Sequence, residues 1–272
     1  MKDGNGKGKE YYDNDELLFE GEYLNGERNG KGKEYYYYKE LKFEGEYLNG
    51  ERNGEGKEFN LTNQLEFEGT YLKGEKWNGK FKMYNMAGEL DFEIDYIDGK
   101  RNGEGKEYYD NSELEYEGWY LNGERNGEGK GYYKNGNLEY EGKYLKGKRN
   151  GEGKEFFNNG NLKFEGEYLE GKRWNGKGYT KDGIIDFEIK DGNGKGKEYH
   201  DNDVLLFEGE YLNGERNGEG KGYYKDGELK FEGEYKNDKK WNGKKYQSVY
   251  GGGKYVENYL NGHRTYNGYY LK

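Results

Sequence analysis

Short stretches of this chain alternate strictly between apolar and charged positions. In one of them, Leu41, Phe43, Gly45 and Tyr47 alternate with Lys and Glu, and the same register recurs over 138–144. A period of two with aromatic enrichment predicts a strand with one buried face and one wet face. Antiparallel sheets commonly have this two-sided character, so each stretch predicts one strand of such a sheet.

The segments between these stretches have the composition of turns. Leu24–Gly30 is rich in Asn and Gly, which tolerate positive φ, and it predicts a hairpin loop. A second strand follows, for example over 31–36. It ends in a turn dipeptide such as Asn135-Gly136, which is favoured in two-residue turns because both central positions need positive φ. Every connection is therefore predicted to be a hairpin.

The two predicted strands form a repeat of about 24 residues that recurs along the whole chain. A chain of short repeats builds an extended surface and seldom a single catalytic pocket. We predict an all-β fold: an elongated single-layer antiparallel β-meander or solenoid of about eleven two-stranded hairpin repeats. One array spans 1–272, with partial repeats at both ends. The central aromatic residues are Phe19, Phe43, Phe67, Phe92, Tyr116, Tyr140, Phe164, Phe187, Phe207, Phe231 and Tyr255.

The aromatic stripe is the feature with binding potential. The Gly between two large residues, such as Gly45, is predicted to leave room for a ring from a neighbouring strand. The stripe is then structural packing, and the alternative is an exposed groove for a peptide, a helix or a second copy. The candidate residues are Phe19, Tyr23, Phe43, Tyr47, Phe67, Tyr71, Tyr116, Tyr120, Tyr140, Tyr144, Phe164, Tyr168, Phe207, Tyr211, Phe231 and Tyr235.

Modified junction repeats are predicted near 77–99 and 174–197. Three loops carry Trp where the others read Arg-Asn-Gly, and Ile replaces the strand Gly after the first two of them. The repeat around Phe187 is also shorter than the others. Two interpretations stay open, a bend or change of twist in the sheet and a scar of duplication. The junction residues are Trp77, Trp174, Trp241, Ile94 and Ile189.

Composition narrows the class of protein. The mean hydropathy is -1.49 and 37% of residues are charged, but aromatics make up 18% and recur at fixed positions, which disfavours disorder. The net charge is -10 and Lys is interleaved with Glu, so a polybasic surface for nucleic acid or anionic lipid is not expected. Cys is absent and the amino terminus has no apolar signal region. We expect a cytoplasmic protein.

The sequence over 43–57 resembles the MORN repeat, whose pattern is Tyr-x-Gly-x-aromatic, then Asn-Gly, then Gly-x-Gly. The resemblance covers essentially the whole chain. The usual repeat is slightly shorter, and its second strand alternates more cleanly than Lys33–Tyr36, which leaves the facing of the second strand open. The resemblance implies elongated hairpin arrays that act as scaffolds or adaptors, often in membrane-associated or cytoskeletal assemblies. Lipid binding has been proposed for some, and catalytic domains are separate where they occur.

Sequence motifs for phosphate binding, metal binding and catalysis are weak in this chain. The Gly- and Lys-rich Gly26–Glu34 lacks the Ser or Thr and the helix start of a phosphate loop. The acidic groups at 13–16 and 201–203 lack the Gly and terminal Glu of a calcium loop. His200 and His263 have no metal-ligand spacing. We expect no catalytic residue, no cofactor and no metal.

The leading hypothesis is a non-enzymatic scaffold that presents its aromatic sheet surface to protein partners or to another copy of itself. Self-assembly end to end is suggested because the chain starts inside a repeat at 4–6 and ends on Tyr266–Leu271 without a capping repeat. No nucleic acid or small-molecule substrate is expected. A membrane-lipid module is the alternative, which the net charge disfavours, and an enzyme is the third hypothesis.

Overall fold

The computed structural model describes residues 3–249, 253–265 and 268–271. Every regular element in these ranges is a β-strand, and each pairing between consecutive strands is antiparallel. The prediction of an all-β chain of antiparallel hairpins is confirmed. The chain divides into two compact units, Met1–Asn126 and Gly127–Lys272. Of the terminal segments singled out above, Tyr266 and Asn267 lie outside the described residues.

The strands follow one another at short intervals. Up to the boundary between the compact units they are β1 (Gly6–Tyr11), β2 (Leu17–Leu24), β3 (Glu27–Tyr35), β4 (Leu41–Leu48), β5 (Glu51–Phe59), β6 (Leu65–Leu72), β7 (Glu75–Tyr84), β8 (Leu90–Ile97), β9 (Lys100–Tyr108), β10 (Leu114–Leu121) and β11 (Glu124–Tyr132), which contains the boundary. The second compact unit continues with β12 (Leu138–Leu145), β13 (Lys148–Phe156), β14 (Leu162–Leu169), β15 (Lys172–Tyr179), β16 (Ile185–Lys190), β17 (Asn193–Tyr199), β18 (Leu205–Leu212), β19 (Glu215–Tyr223), β20 (Leu229–Lys236), β21 (Lys239–Ser248), β22 (Lys254–Leu260), β23 (His263–Arg264) and β24 (Tyr269–Leu271).

The turn inside each repeat is shorter than predicted. Between β2 and β3 it consists of Asn25 and Gly26 alone, with φ of 54° and 87°. Two positive φ values in a two-residue connection are the signature of the hairpin turn whose twist matches that of the strands. The predicted loop over Leu24–Gly30 is therefore wrong in its extent. Arg28 and its neighbours belong to β3, where Gly30 (φ 86°) lies in a bulge.

The turn between repeats is longer than predicted. After β11 the backbone NH of Tyr133 donates to the carbonyl of Asn137, and the NH of Gly136 donates to the carbonyl of Tyr133. Only Gly136 in this turn has positive φ (82°). The connection is thus a three-residue loop with its last residue in the left-handed region, and the prediction of a two-residue turn at Asn135-Gly136 is wrong.

Two faces of the β-sheet can now be defined. Glu34 lies directly opposite Phe19 and Phe43 on the adjacent strands, so it shares their face, which we name the aromatic face. The hydroxyl of Tyr35 donates to Glu20 at 2.9 Å on the other face, which we name the charged face. The facing of the second strand, which the sequence left open, is settled by these pairings: Glu34 joins the aromatic residues and Tyr35 does not.

Glycines face one another across adjacent strands and make room for the aromatic rings. Gly32 pairs with Gly21 on one side and with Gly45 on the other. A Cβ on Gly32 would lie 2.5 Å from the ring of Phe19, and one on Gly21 would lie 2.6 Å from it. The ring of Phe19 therefore lies over two glycines, one in its own strand and one in the next. This agrees with the interpretation drawn from the alternation.

The first junction changes the register of the sheet. Between the pairs Gly69↔Gly79 and Tyr71↔Lys76 the second strand holds one residue fewer than in the ordinary repeats. The indole of Trp77 covers the next turn, since a Cβ on Gly99 would lie 3.3 Å from it. Ile94, which replaces the strand Gly, is fully buried. The repeat with Trp77 therefore has one residue fewer at the start of its second strand. Ile94 fills space that an aromatic ring occupies in the other repeats.

The second junction brings together repeats that are not adjacent in the chain. The rings of Phe157 and Tyr199 meet at 5.0 Å, and the backbone NH of Asn158 donates to the carboxylate of Asp203 at 3.1 Å. Elsewhere the cross-repeat bonds join residues about 23 apart, such as Tyr133 to the carbonyl of Phe156. The shortened repeat between them therefore lets its two neighbours touch, and Ile189 is buried there.

Candidate functional site

The sixteen aromatic residues singled out from the sequence lie in the core. All eight central rings are fully buried, and the Tyr that follows each of them is buried or, at Tyr211, half-buried. The central rings are Phe19, Phe43, Phe67, Tyr116, Tyr140, Phe164, Phe207 and Phe231. The expectation that this stripe forms an exposed groove is therefore wrong for these residues. They pack the sheet and are closed to a partner.

A charged cluster covers most of the buried rings. The guanidinium of Arg28 lies 4.1 Å above the centre of Phe19 and donates to the carboxylate of Glu10 at 2.6 Å. The hydroxyl of Tyr23 donates to the same carboxylate at 2.6 Å. An Arg stem can cover apolar surface while its head stays paired. We name this arrangement the Glu–Tyr–Arg cluster, in which Tyr follows Glu by thirteen residues and Arg follows it by eighteen.

The cluster recurs in both compact units. Its members are Glu34–Tyr47–Arg52, Glu107–Tyr120–Arg125, Glu155–Tyr168–Arg173 and Glu198–Tyr211–Arg216, and at Glu58 a lysine, Lys76, replaces Arg. Sequence reasoning missed these residues because it treated Glu and Arg as solvated. The constant spacing of thirteen and eighteen residues is a signal that would have found them.

The carboxylates of these clusters are held in the ionised form. Burial alone would raise the pKa of Glu34, but hydrogen bonds from Arg52 and Tyr47 outweigh it and keep the pKa below its ordinary value. Burial and the same carboxylate raise the pKa of Tyr47. A carboxylate that is saturated with hydrogen bonds is a poor general acid or base, because that work requires a pKa near the working pH. The clusters are suited to packing.

The charged face holds a groove in the first compact unit. Its volume is about 800 Å³, and Gly8, Gly21, Gly32, Gly45 and Gly56 form its floor. Lys and Glu from adjacent strands alternate along it. The ion pairs are Lys9–Glu20 at 3.1 Å, Lys33–Glu44 at 3.3 Å and Lys57–Glu68 at 2.8 Å. A similar groove of about 650 Å³ lies in the second compact unit, lined by Lys195, Glu208, Lys221 and Glu232 among others.

A row of exposed aliphatic residues follows the same face. Each one is the last residue before a two-residue turn, and alternation places it with Glu20 and Glu22 rather than with Phe19. In the first compact unit they are 40–51% exposed. The residues are Leu24, Leu48, Leu72, Ile97 and Leu121 in the first compact unit and Leu145, Leu169, Leu212 and Leu260 in the second. We name them the leucine row. The sequence pattern showed them, but their exposure was not anticipated.

The other motifs take part in turns and packing. Asp15 (φ 63°) occupies the left-handed position of the turn after β1, so the acidic group at 13–16 is turn structure. The Nε2 of His200 lies 3.2 Å from the carbonyl of Tyr223, where other repeats use Tyr, and His263 is exposed. Within 3–249, 253–265 and 268–271, no three His, Cys, Asp or Glu side chains are placed to hold a metal ion.

No helix formed by the described residues is long and apolar enough to cross a membrane. Comparison with curated proteins returned no match. Among solved structures, the crystal structure of TcdB2-TccC3-TEV is similar at 9% identity and a TM-score of 0.23. The alignment covers 93% of this chain and 15% of that chain. A likeness at this level carries no argument about function.

Two sequence profiles match the chain, and together they cover more than half of it. The MORN repeat profile matches residues 19–37, 43–59, 95–113 and 140–162, and the MORN repeat variant matches 5–25, 125–146, 193–213 and 216–237. The matched segments coincide with the hairpins, the glycine pairs and the two-residue turns described above, and they agree with a repeat scaffold or binding module. The chain belongs to the MORN-repeat family.

Proposed function

We propose that this protein is a non-enzymatic scaffold or adaptor that binds an amphipathic segment of a partner protein along its charged face. The observation that carries the proposal is the leucine row beside the glycine-floored groove. Leu24 and Leu48 are each about half exposed, and the row has one member in every two-residue hairpin of the first compact unit. Large aliphatic side chains that recur along one face mark an interaction surface when they form a continuous stripe.

The charge of the groove favours a polypeptide as the occupant. Its lining in the first compact unit contains five Lys and six Glu, so both signs are present in nearly equal numbers. Nucleic acid and anionic membranes require clustered positive charge. An amphipathic segment with mixed charges can pair with both signs and place its apolar side chains on the leucine row. The proposed partner surface is therefore the charged face and not the aromatic face, where we expected it.

A non-enzymatic role is supported by the chemistry of the carboxylates. The buried ones, such as Glu34 and Glu155, each accept several hydrogen bonds from Arg and Tyr. The Lys and Glu of the groove are paired with each other and lie open to solvent. The pKa values of the buried carboxyls lie below their ordinary value, whereas general acid catalysis needs a raised one.

The proposal can be tested with a displayed library of random 20-residue peptides selected against the wild-type protein. Selected peptides are expected to combine apolar residues with both signs of charge. Leu48→Asp should weaken their binding about tenfold, because it removes one buried aliphatic side chain from the interface. Met86→Asp is the matched control, since Met86 is fully exposed on a turn. Peptides that bind Leu48→Asp as tightly as wild type would contradict the proposal.

The same material separates the competing functions. Sedimentation over a wide range of concentration tests self-assembly, and a monodisperse monomer throughout would remove it. Flotation with anionic liposomes at low salt tests the lipid alternative, which rests on the family resemblance and has no basic patch in the grooves to support it. Flotation that persists in Leu48→Asp would favour a lipid surface over a peptide groove.

A further inference from the structure

One Glu–Tyr–Arg cluster lacks its carboxylate. Lys240 occupies the place that Arg216 and Lys76 hold in their own repeats, directly opposite the Tyr that follows the central ring. The residue eighteen positions before Lys76 is Glu58, and the two form an ion pair at 2.5 Å. The residue eighteen positions before Lys240 is Gly222. Lys240 is therefore present, but Gly222 stands where its carboxylate partner would be.

A second repeat with the same replacement shows how the chain normally compensates. Arg149 is preceded at the same distance by Gly131. Its guanidinium turns instead to Glu139 at 3.0 Å and to Glu155 at 3.3 Å. Glu139 immediately precedes the central ring Tyr140, and Glu155 lies opposite that ring on the next strand. Two alternative carboxylates therefore satisfy the cation.

Around Lys240 both of these alternatives are cations. Lys230 immediately precedes the central ring Phe231, in the position of Glu139, and Lys245 lies opposite Phe231, in the position of Glu155. The three positions that supply a carboxylate in other repeats are therefore Gly222, Lys230 and Lys245 in this one. We name Lys230, Tyr235, Lys240 and Lys245 the Lys240 site.

The remaining carboxylate in the neighbourhood is already used. Glu257 accepts from Lys245 at 3.0 Å and from Arg264 at 3.4 Å. In the part of the chain that the structure describes, the Nζ of Lys240 has no ion pair and no hydrogen bond. It lies 5.3 Å from the ring of Phe231 and 5.9 Å from the ring of Tyr259. Burial, with the nearby charge of Lys230, lowers the pKa of Lys240 to about 8.

We propose that the Lys240 site binds a carboxylate from outside the chain, supplied as an acidic side chain of a peptide. The equivalent positions hold an ionised Glu between a cation and a Tyr hydroxyl, so the same groups are ready for the same ligand. A Cβ on Gly222 would lie 2.8 Å from the hydroxyl of Tyr235, so this hydroxyl lies where the side chain of a Glu would begin and is placed to donate to an incoming carboxylate.

This site is independent of the groove. Phe231, Tyr235 and Lys240 lie on the aromatic face, whereas the leucine row and the groove lie on the charged face. Binding at the Lys240 site would add a second point of attachment for an acidic partner. Failure of the proposed groove function would leave this inference standing, because the two use different side chains.

The test uses the whole 272-residue chain and a glutamate-rich peptide, with the same peptide carrying Gln for Glu as the reference. Binding is followed through the side-chain NMR signals of the lysines and by calorimetry. Gly222→Glu supplies the missing carboxylate internally and should weaken binding about fivefold, the scale of one partly exposed ion pair. Gly131→Glu adds the same side chain at the equivalent position of another repeat and should leave binding unchanged.

Lys230→Glu is the second variant, since it introduces a carboxylate without altering a glycine; it should also weaken binding. Circular dichroism checks that each variant is folded. Equal binding of the Glu-rich peptide by wild type and by the folded variants would overturn the inference. Acetate at the same carboxylate concentration distinguishes the source: if it moves the Lys240 signal as far as the peptide does, the site takes free carboxylates and the assignment to a peptide is wrong.

Discussion

Loss of the buried carboxylate of Glu155 is expected to be among the most destabilising single changes in the second compact unit. Glu155 is 8% exposed. Its carboxylate accepts from Arg173 at 2.6 Å and from the hydroxyl of Tyr168 at 2.7 Å, and it lies 3.3 Å from Arg149. Glu155→Gln keeps the shape of the side chain but leaves the largely buried guanidinium of Arg173 without its counter-charge, while Arg149 keeps only its pair with Glu139.

Breaking a buried ion pair by removing one partner costs about 3–5 kcal/mol, because the other charge stays buried and uncompensated. The pH dependence has a definite sign. Burial alone would raise the pKa of Glu155, but Arg173 and Arg149 outweigh it and hold the pKa well below its ordinary value. A carboxyl whose folded pKa is depressed stabilises the fold above its unfolded pKa. That contribution is lost as the pH falls below about 4.5, and Glu155→Gln should lack this part of the acid dependence.

Urea unfolding followed by Trp fluorescence measures the effect, and Trp174 adjoins Arg173 in the sequence. Glu20→Gln is the matched control. Glu20 pairs with Lys9 on the charged face, where both side chains are more than a third exposed, so its loss should cost at most about 1 kcal/mol. Equal shifts of the urea midpoint in the two variants would refute the reasoning that burial decides the magnitude.

Two further predictions concern packing and protonation. Gly32→Ala should destabilise the first compact unit by about 1–3 kcal/mol, because its Cβ would meet the ring of Phe19 at 2.5 Å. Phe19→Leu should relieve part of that cost in the double variant. Additive effects of the two substitutions in thermal unfolding would contradict this prediction. Lys240 has a folded pKa of about 8, below its ordinary value of 10.5, so the folded state releases its proton first and stability should rise between pH 8 and pH 10. Gly222→Glu should abolish that rise, and a rise unchanged in this variant would exclude Lys240 as its source.

The sequence was least informative about the turns. Both turn positions carry Asn-Gly or Asp-Gly in many repeats, so composition alone could not assign the turn types. The two-residue turn was expected at Asn135-Gly136 and lies instead at Asn25-Gly26 and its equivalents. The difference depends on which residues pair across the strands. That pairing is fixed by the whole ladder and by the bulge at Gly30, and neither can be read from a local dipeptide.

The sequence by itself determined the hairpin array through its alternation, its glycines beside the rings and its recurring turns. The facing of a strand follows from a period of two, and a ring needs the space that only Gly leaves. The tertiary structure decided which face is open. Arg28 reaches back across β2 to Glu10 and closes the aromatic face over Phe19, whereas Leu24 at the hairpin end stays exposed. A long side chain can lie over either neighbour, and the choice depends on a carboxylate that becomes close only when the strands pair.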